Sequence, residues 1–195
     1  MNWTVSYKCK GGFVENQGLC GAGYAFATAD ASAITFRIYN NYPVYNGLSA
    51  QDIVSSRNGC MGGSFLGAFS KIVKDGIHLK KSIYYQNAYS LDPISPFNLN
   101  RGTEKVPPEA FVNWARVNTG DCHDLLKTLQ KRPITVGLAL SFKHAFYSDG
   151  ILSAPFGKIN SAAVLVAYHE DIGYVIKNHW GFDWGNEGYA WISKD

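Results

Sequence analysis

The sequence predicts an α+β fold with helices and strands in separate parts of the chain. Three observations carry this. An alanine-rich segment running to about Asn40 has few breakers and many good helix formers. Two shorter helical patterns follow in the first half. The second half instead carries the strand-like runs Ile134–Leu140, Ala162–Tyr168, Gly173–Asn178 and Tyr189–Ile192. Helices first and strands second imply segregated lobes around a shared interface.

Taken in order, residues 1–16 read as an extended lead-in with Gly11-Gly12 as its turn. Ala25, Ala27, Ala29, Ala31 and Ala33, then Ile34, Phe36 and Ile38, place small or apolar side chains on several faces of the first helix. Such a helix is expected to be packed on both sides. Its N-terminus, near Ala22 to Tyr24, points unpaired N–H groups and a positive dipole end forward. Leu48-Ser49-Ala50-Gln51-Asp52-Ile53 starts a second helix, with Ser49 as N-cap and Asp52 as its box partner. Ser64 to Asp75 reads as a third helix, with Phe65, Ala68, Phe69, Ile72 and Val73 at helical spacing and Gly76 as its stop. Residues 77–110, with four prolines, read as an irregular connection. Asp121 to Gln130 is one short helix capped by Thr119 or Asp121.

A chain of 195 residues suits one compact unit or two small lobes. Hydrophobic residues at 46% and charged residues at 17% suit a globular core. The net charge of +3 comes from scattered Lys and Arg, which argues against a nucleic-acid partner. No apolar run approaches the roughly 20 residues of a membrane span. Met1-Asn2-Trp3 carries no signal-peptide pattern and reads as a start placed on a trimmed domain. Asn2-Trp3-Thr4 is a glycosylation sequon. Histidines 78, 123, 144 and 169 show no metal-ligand spacing, so neither metal nor cofactor is expected. His144-Ala145-Phe146-Tyr147 reads as a packing loop.

The stretch Gln17-Gly18-Leu19-Cys20-Gly21-Ala22-Gly23-Tyr24 resembles the active-site segment of papain-family, cathepsin-like cysteine proteases. Asn178-His179-Trp180-Gly181 and Trp184-Gly185-Asn186-Glu187-Gly188-Tyr189 resemble the family's second block, so the resemblance runs from Trp3 to Ile192. It implies a single papain-like domain over 1–195, with a helical lobe at 11–113 and a sheet-barrel lobe at 1–10 and 114–195. A cleft would lie between them. It also implies a Cys20–Cys60 disulfide and hence an oxidising compartment, secreted or lysosomal or vacuolar. Cys9–Cys122 is a reasonable second bridge by the same analogy. The chain ends at Asp195, short of the usual family C-terminus, which normally supplies a pocket floor and a closing strand.

Mapped onto this sequence, the nucleophile position is Gly23 and the histidine position is Ser161, while Gln17 and Asn178 match the oxyanion donor and the orienting asparagine. The family mechanism needs a thiolate and an imidazole. The expectation is therefore a catalytically degenerate homologue, not an enzyme, that acts by binding. Its partner would be a peptide, a protein or a cystatin-like inhibitor, held as a decoy or scaffold. The alternatives are a peptidase with a relocated nucleophile, such as Cys20, and a storage or structural protein. Ser161 and His179 do not form a pair on this reading, because His179 follows Asn178 and turns away to a surface or interlobe position. Expected cleft residues are Gln17, Gly23, Gly62, Gly63, Asn160, Ser161, Asn178 and Trp180. Gly62-Gly63 matches a glycine pair that binds extended peptide by strand addition. Ser64, Phe65, Gly137, Asn160 and Ala162 would line a side pocket, widened by Gly137. Trp180, Trp184 and Tyr189 read as sheet-lobe core. Gln17, Gly23, Ser161 and Asn178 are also expected to form a donor-rich recess suited to water or an anion.

Overall fold

Alanine at every second position of the first helix lets it be approached closely from both sides, and the computed structural model places it at the centre. It describes residues 5–6, 12–40, 47–56, 59–86, 104–111, 113–118, 120–153 and 157–194. The central helix α1 spans Gly23–Asn40. One side of it (Ala22, Ala25, Phe26, Ala29, Ala33) packs on Ile53 and Val54 of α2 (Ala50–Ser55) and on Ala68 and Ile72 of α3 (Phe65–Asp75). The other side, Ala27, Ala31 and Ile34, packs on Ala162, Val164 and Val166 of the sheet. No face of α1 is left for water along Ala22–Ile34.

The expected caps form. Ser49 accepts from the Asp52 N–H at 3.1 Å, and Ser64 from the Gly67 N–H at 3.1 Å. Gly76 ends α3 with φ +71°, and a Cβ there would meet the Val106 carbonyl at 2.4 Å. Asp52 does not complete a capping box. Its carboxylate turns inward to Lys71 Nζ at 2.7 Å and to the His78 N–H at 2.9 Å. The fourth helix, α4 (Cys122–Leu129), is capped by Asp121; the other candidate, Thr119, lies outside the described residues.

The six-stranded sheet comprises β1 (Val5–Ser6), β4 (Ile134–Leu138), β5 (Ile151–Leu152), β6 (Ser161–His169), β7 (Gly173–Lys177) and β8 (Tyr189–Ser193). Strand β6 is the hub, pairing β1, β4 and β7 antiparallel, with β8 beyond β7. Sequence patterning finds four of these strands within two residues at each end. It misses the two-residue β5, which runs parallel to β8, so the sheet is mixed. The connection read as irregular also contains a small antiparallel pair, β2 (Ile77–His78) with β3 (Lys105–Val106). The far face of the large sheet packs Ala163, Leu165, Ile176 and Trp184 against Leu129 of α4.

Candidate functional site

The start of α1 lies against the start of β6. A Cβ built on Gly23 would lie 3.1 Å from Gln17 Oε1 and 3.5 Å from Ala162 Cβ. Position 23 is therefore wedged between the Gln17 amide and strand β6, and even a methyl there would press on the Gln17 oxygen. Gly18, at φ +59°, makes the turn, and its N–H donates to Asn16 Oδ1 at 2.8 Å.

Gln17 is held on three sides. Its N–H donates to the His179 carbonyl at 2.9 Å, its carbonyl accepts from the Tyr85 hydroxyl at 2.7 Å, and its Nε2 donates to the Cys20 carbonyl at 2.8 Å. One of the two Nε2 hydrogens is thus spent on the turn. The oxygen of the same amide is what faces Gly23. The expected recess is therefore not made of donors alone, because an acceptor stands on its near wall.

Cys20 and Cys60 form a disulfide. Cys20 is consequently no free thiol and cannot serve as the relocated nucleophile. Cys122 is a free, exposed cysteine and not half of a second bridge; Cys9 lies outside the described residues. The Gly21 N–H donates to the Cys60 carbonyl at 3.0 Å, and a Cβ on Gly21 would meet that oxygen at 2.6 Å. On the other wall, Gly62 has φ +85°. A Cβ on Gly63 would fall 2.5 Å from the Tyr24 ring. Gly63 is exposed and makes no backbone hydrogen bond among the described residues.

The side pocket differs from expectation. The space left by Gly137 is filled by Ile159, whose Cγ2 lies 2.8 Å from where a Cβ on Gly137 would be. Gly137 therefore does not widen the pocket. Asn160 turns its amide back on the chain: Oδ1 accepts from the Leu140 N–H at 2.9 Å and Nδ2 donates to the Leu140 carbonyl at 2.7 Å. It braces the end of β4 and does not offer those groups to a ligand.

Strand alternation sorts the next residues. Lys177 pairs Val164, on the face that meets α1. Asn178, one step on, takes the opposite face with Ile176, and His179 returns to α1. Asn178 is fully buried, and neither side-chain atom of its amide has a partner among the described residues, so Ser161 at the start of β6 does not reach it. His179 turns away from Asn178, as expected. It is not a surface residue: it is fully buried, stacked on Phe26 with centroids 5.5 Å apart. Its Nε2 lies 3.2 Å from Asp30 Oδ2, on which Lys177 Nζ also sits at 2.7 Å. Burial alone would push the Asp30 carboxyl up, but the Lys177 ammonium and the His179 contact more than offset this and hold it at about 2. Glu15, paired with Lys80 at 2.8 Å, is raised by burial and by the nearby Asp30 charge.

Sequence reasoning missed this Asp30–Lys177–His179 group. A signal was available, since one acid in an alanine helix and one lysine in an apolar strand are both costly to bury alone. Trp184 and Tyr189 are buried as expected; Trp180 is half-buried and meets Trp184 edge-on. No group of His, Cys, Asp and Glu among the described residues is arranged to hold a metal, and no described helix is long and apolar enough to cross a membrane.

Comparison with known proteins agrees with this geometry. The family model "Papain family cysteine protease" matches residues 1–195. The chain is 29% identical to cathepsin L 1 of Paramecium tetraurelia over 97% of its own length and 58% of that protein's. It is 28% identical to stem bromelain of Ananas comosus, covering 93% of this chain and 82% of the relative. The first of these relatives is thus spanned over less than two thirds of its length. Among solved structures, the Carica candamarcensis cysteine protease superposes with a TM-score of 0.80 at 25% identity, covering 100% of this chain and 90% of the other. The fold is papain-like α+β.

These findings overturn the expectation that the chain is no enzyme, because its family and its named relatives are cysteine proteases. The physical reason is one of scope. Gly23 and Ser161 bear only on a mechanism that draws its thiolate and imidazole from those two positions, and they leave the remaining side chains of the cleft untested. With a family model matched along the whole chain and the helix–sheet arrangement to go with it, this protein belongs to the papain family of cysteine proteases.

Proposed function

We propose that this chain works by holding an extended peptide in the cleft in front of α1. One observation carries the reading: Gly63 lies exposed at the cleft edge, packed so closely on Tyr24 that no side chain fits, with its backbone groups unused among the described residues. Such an edge recognises main chain by strand addition, and the glycine lets the ligand backbone come close. The Cys20–Cys60 bridge beside it supports residence in an oxidising compartment, secreted or lysosomal or vacuolar.

The test uses fluorescein-labelled octapeptides read by anisotropy. Binding should weaken by about tenfold or more when the central peptide nitrogens are methylated, since each methyl removes a ladder donor and adds bulk at the edge. Absence of binding, or indifference to methylation, would defeat the reading.

A second reading, peptide hydrolysis by a relocated nucleophile, is favoured by one contact. Ser141 Oγ lies 2.9 Å from His144 Nδ1, in the loop whose next residues line the groove beside Trp180. A hydroxyl on an imidazole is the first requirement of serine nucleophilic chemistry. The same nitrogen also accepts the Ser141 N–H at 2.8 Å, as a helix cap would. Time-dependent cleavage of the labelled peptides that disappears in Ser141→Ala supports this reading; cleavage unchanged in that variant removes it.

A further inference from the structure

Residues 13–17 approach α1 along the seam between the helices and the sheet, and they are held from both sides. Their backbone belongs to the sheet. The Gly181 N–H donates to the Glu15 carbonyl at 3.0 Å, Asn16 bridges Trp180 antiparallel, and the Gln17 N–H donates to the His179 carbonyl at 2.9 Å. Lys177 Nζ donates to the Phe13 carbonyl at 2.9 Å. Tyr85 and Lys80 reach the same segment from the other side. The Tyr85 hydroxyl donates to the Gln17 carbonyl at 2.7 Å, and Lys80 Nζ meets Glu15 Oε1 at 2.8 Å. Lys80 is fixed in the helical half: its N–H donates to the Gly47 carbonyl at 3.0 Å, and its neighbour Leu79 packs in the α1–α2–α3 core. Glu15 and Lys80 thus form an ion pair across the seam, two residues before Gln17 at the front of α1.

We propose that this ion pair is an acid-released latch, which clamps the helical half to residues 13–17 at neutral pH and lets go when Glu15 takes up a proton. Release would loosen the front of α1 and weaken peptide binding there; that consequence rests on the reading that the cleft holds a peptide, and the latch itself does not. The Glu15 side chain is 14% exposed, so its charge has little water to support it. The groups facing it are Asp30 from α1, Lys177 and His179 from β7 and its extension, and Lys80 and Tyr85 from the segment after β2. Burial and the Asp30 charge push the Glu15 carboxyl up, against the opposing pull of Lys80 and His179. Glu15 therefore protonates before an exposed glutamate would, while Asp30, held at about 2, stays charged and keeps Lys177 and His179 in place. Because its folded value is raised, Glu15 contributes most to stability when protonated, and that contribution is lost as pH rises through the raised value. Acid thus opens the latch without unfolding the molecule. Lys80, 30% exposed, is free to turn its ammonium to water.

Amide exchange read by NMR as protection factors, at about pH 7 and about pH 4, tests the latch. Over that range protection at Lys80, Gln17 and Gly181 should fall by about tenfold or more, since local opening sets exchange. Protection at the buried Ile34 of α1 should hold. The Glu15 carboxyl carbon shift should titrate with the same midpoint. Glu15→Gln keeps the shape and removes the charge, so it should show the low protection at both pH values and no step. Lys80→Met, at the more exposed partner, should behave alike and covers the case in which the glutamine variant does not fold. Rhodamine-labelled octapeptides should bind Glu15→Gln at pH 7 as weakly as they bind the parent at pH 4. Unchanged protection in the parent overturns the latch. A step that survives in Glu15→Gln does so too, by assigning it to a histidine such as His179 or His78. Loss of protection at Ile34 in the same step overturns it as global unfolding. If the step appears as expected and no octapeptide binds at either pH, the latch stands and the cleft reading fails. Octapeptide affinity that ignores a confirmed step overturns the latch's control of the cleft.

Discussion

Gly63 shows how a single missing methyl carries structural information. Its Cα sits so near the Tyr24 ring that a Cβ would lie 2.5 Å from two ring carbons, well inside contact distance. Tyr24 is 5% exposed and has no free direction in which to retreat. Gly63→Ala should therefore cost about 1–3 kcal/mol through forced repacking, measured by urea unfolding, and should weaken octapeptide binding along with it. An alanine variant as stable as the parent would show that the ring moves freely and would remove the close-approach argument. Gly62-Gly63 was legible as a pair through the family resemblance, which implies a glycine pair that meets an extended peptide. The Asp30–Lys177–His179 contact was not read: the lone acid in α1 and the lone lysine in β7 each call for a partner, but with 149 residues between His179 and Asp30 nothing local says which partner. The same holds for Asn160, whose turn back onto Leu140 follows from the end of the β4 ladder and not from its neighbours in sequence.

Helices proved more readable than strands, for a physical reason. α1, α2 and α3 carry their own start and stop chemistry, so Ser49, Ser64 and Gly76 mark boundaries that need no partner. Strand β5 has two residues, exists only by pairing Ile151 with Trp191 and Leu152 with Ile192, and leaves no periodicity to find. The β2–β3 pair is as short and likewise depends on a distant partner. The cap of α3 gives a prediction at this scale. Ser64 accepts from the Gly67 N–H at 3.1 Å in an exposed setting, so Ser64→Ala should lower stability by about 1 kcal/mol. Ser64→Gly should lower it by only a few tenths of that unit, as glycine caps retain access to solvent. Chemical denaturation of the three proteins decides this; equal stability of all three would mean the cap bond contributes nothing. Fraying at the cap should appear in Ser64→Ala as faster amide exchange at Gly67 and Ala68, whose N–H groups donate to the Ser64 hydroxyl and carbonyl.

At the scale of the molecule, helices and sheet are joined by an apolar contact that also encloses charge. Asp30 of α1 meets Lys177 at 2.7 Å and His179 at 3.2 Å, and Lys177 additionally donates to the Phe13 carbonyl at 2.9 Å. Removing one partner strands the other: Lys177→Met should cost about 3–5 kcal/mol, because Asp30 keeps a buried charge without its counter-ion. Replacing both charges, as Asp30→Asn with Lys177→Met, should cost less than that single change. The pH dependence has a defined sign. Asp30 is held at about 2, below its unfolded value, so its contribution is present above roughly pH 4 and is lost as pH falls through the window from about 4 to about 2. The size of that loss is about 2 kcal/mol. Asp52, also lowered by Lys71 against the effect of burial, acts in the same direction, while Glu15, raised by burial, acts in the opposite one. Both remain in the double variant; Asp52 keeps its partners and cancels, and a Glu15→Gln background in both proteins removes the part of Glu15's rise that the Asp30 charge causes. The stability difference between parent and double variant should therefore shift against the parent by about 2 kcal/mol between pH 5 and pH 2. Parallel stability curves across that range would show that Asp30 titrates alike folded and unfolded, and that the helix–sheet contact does not depend on its charge.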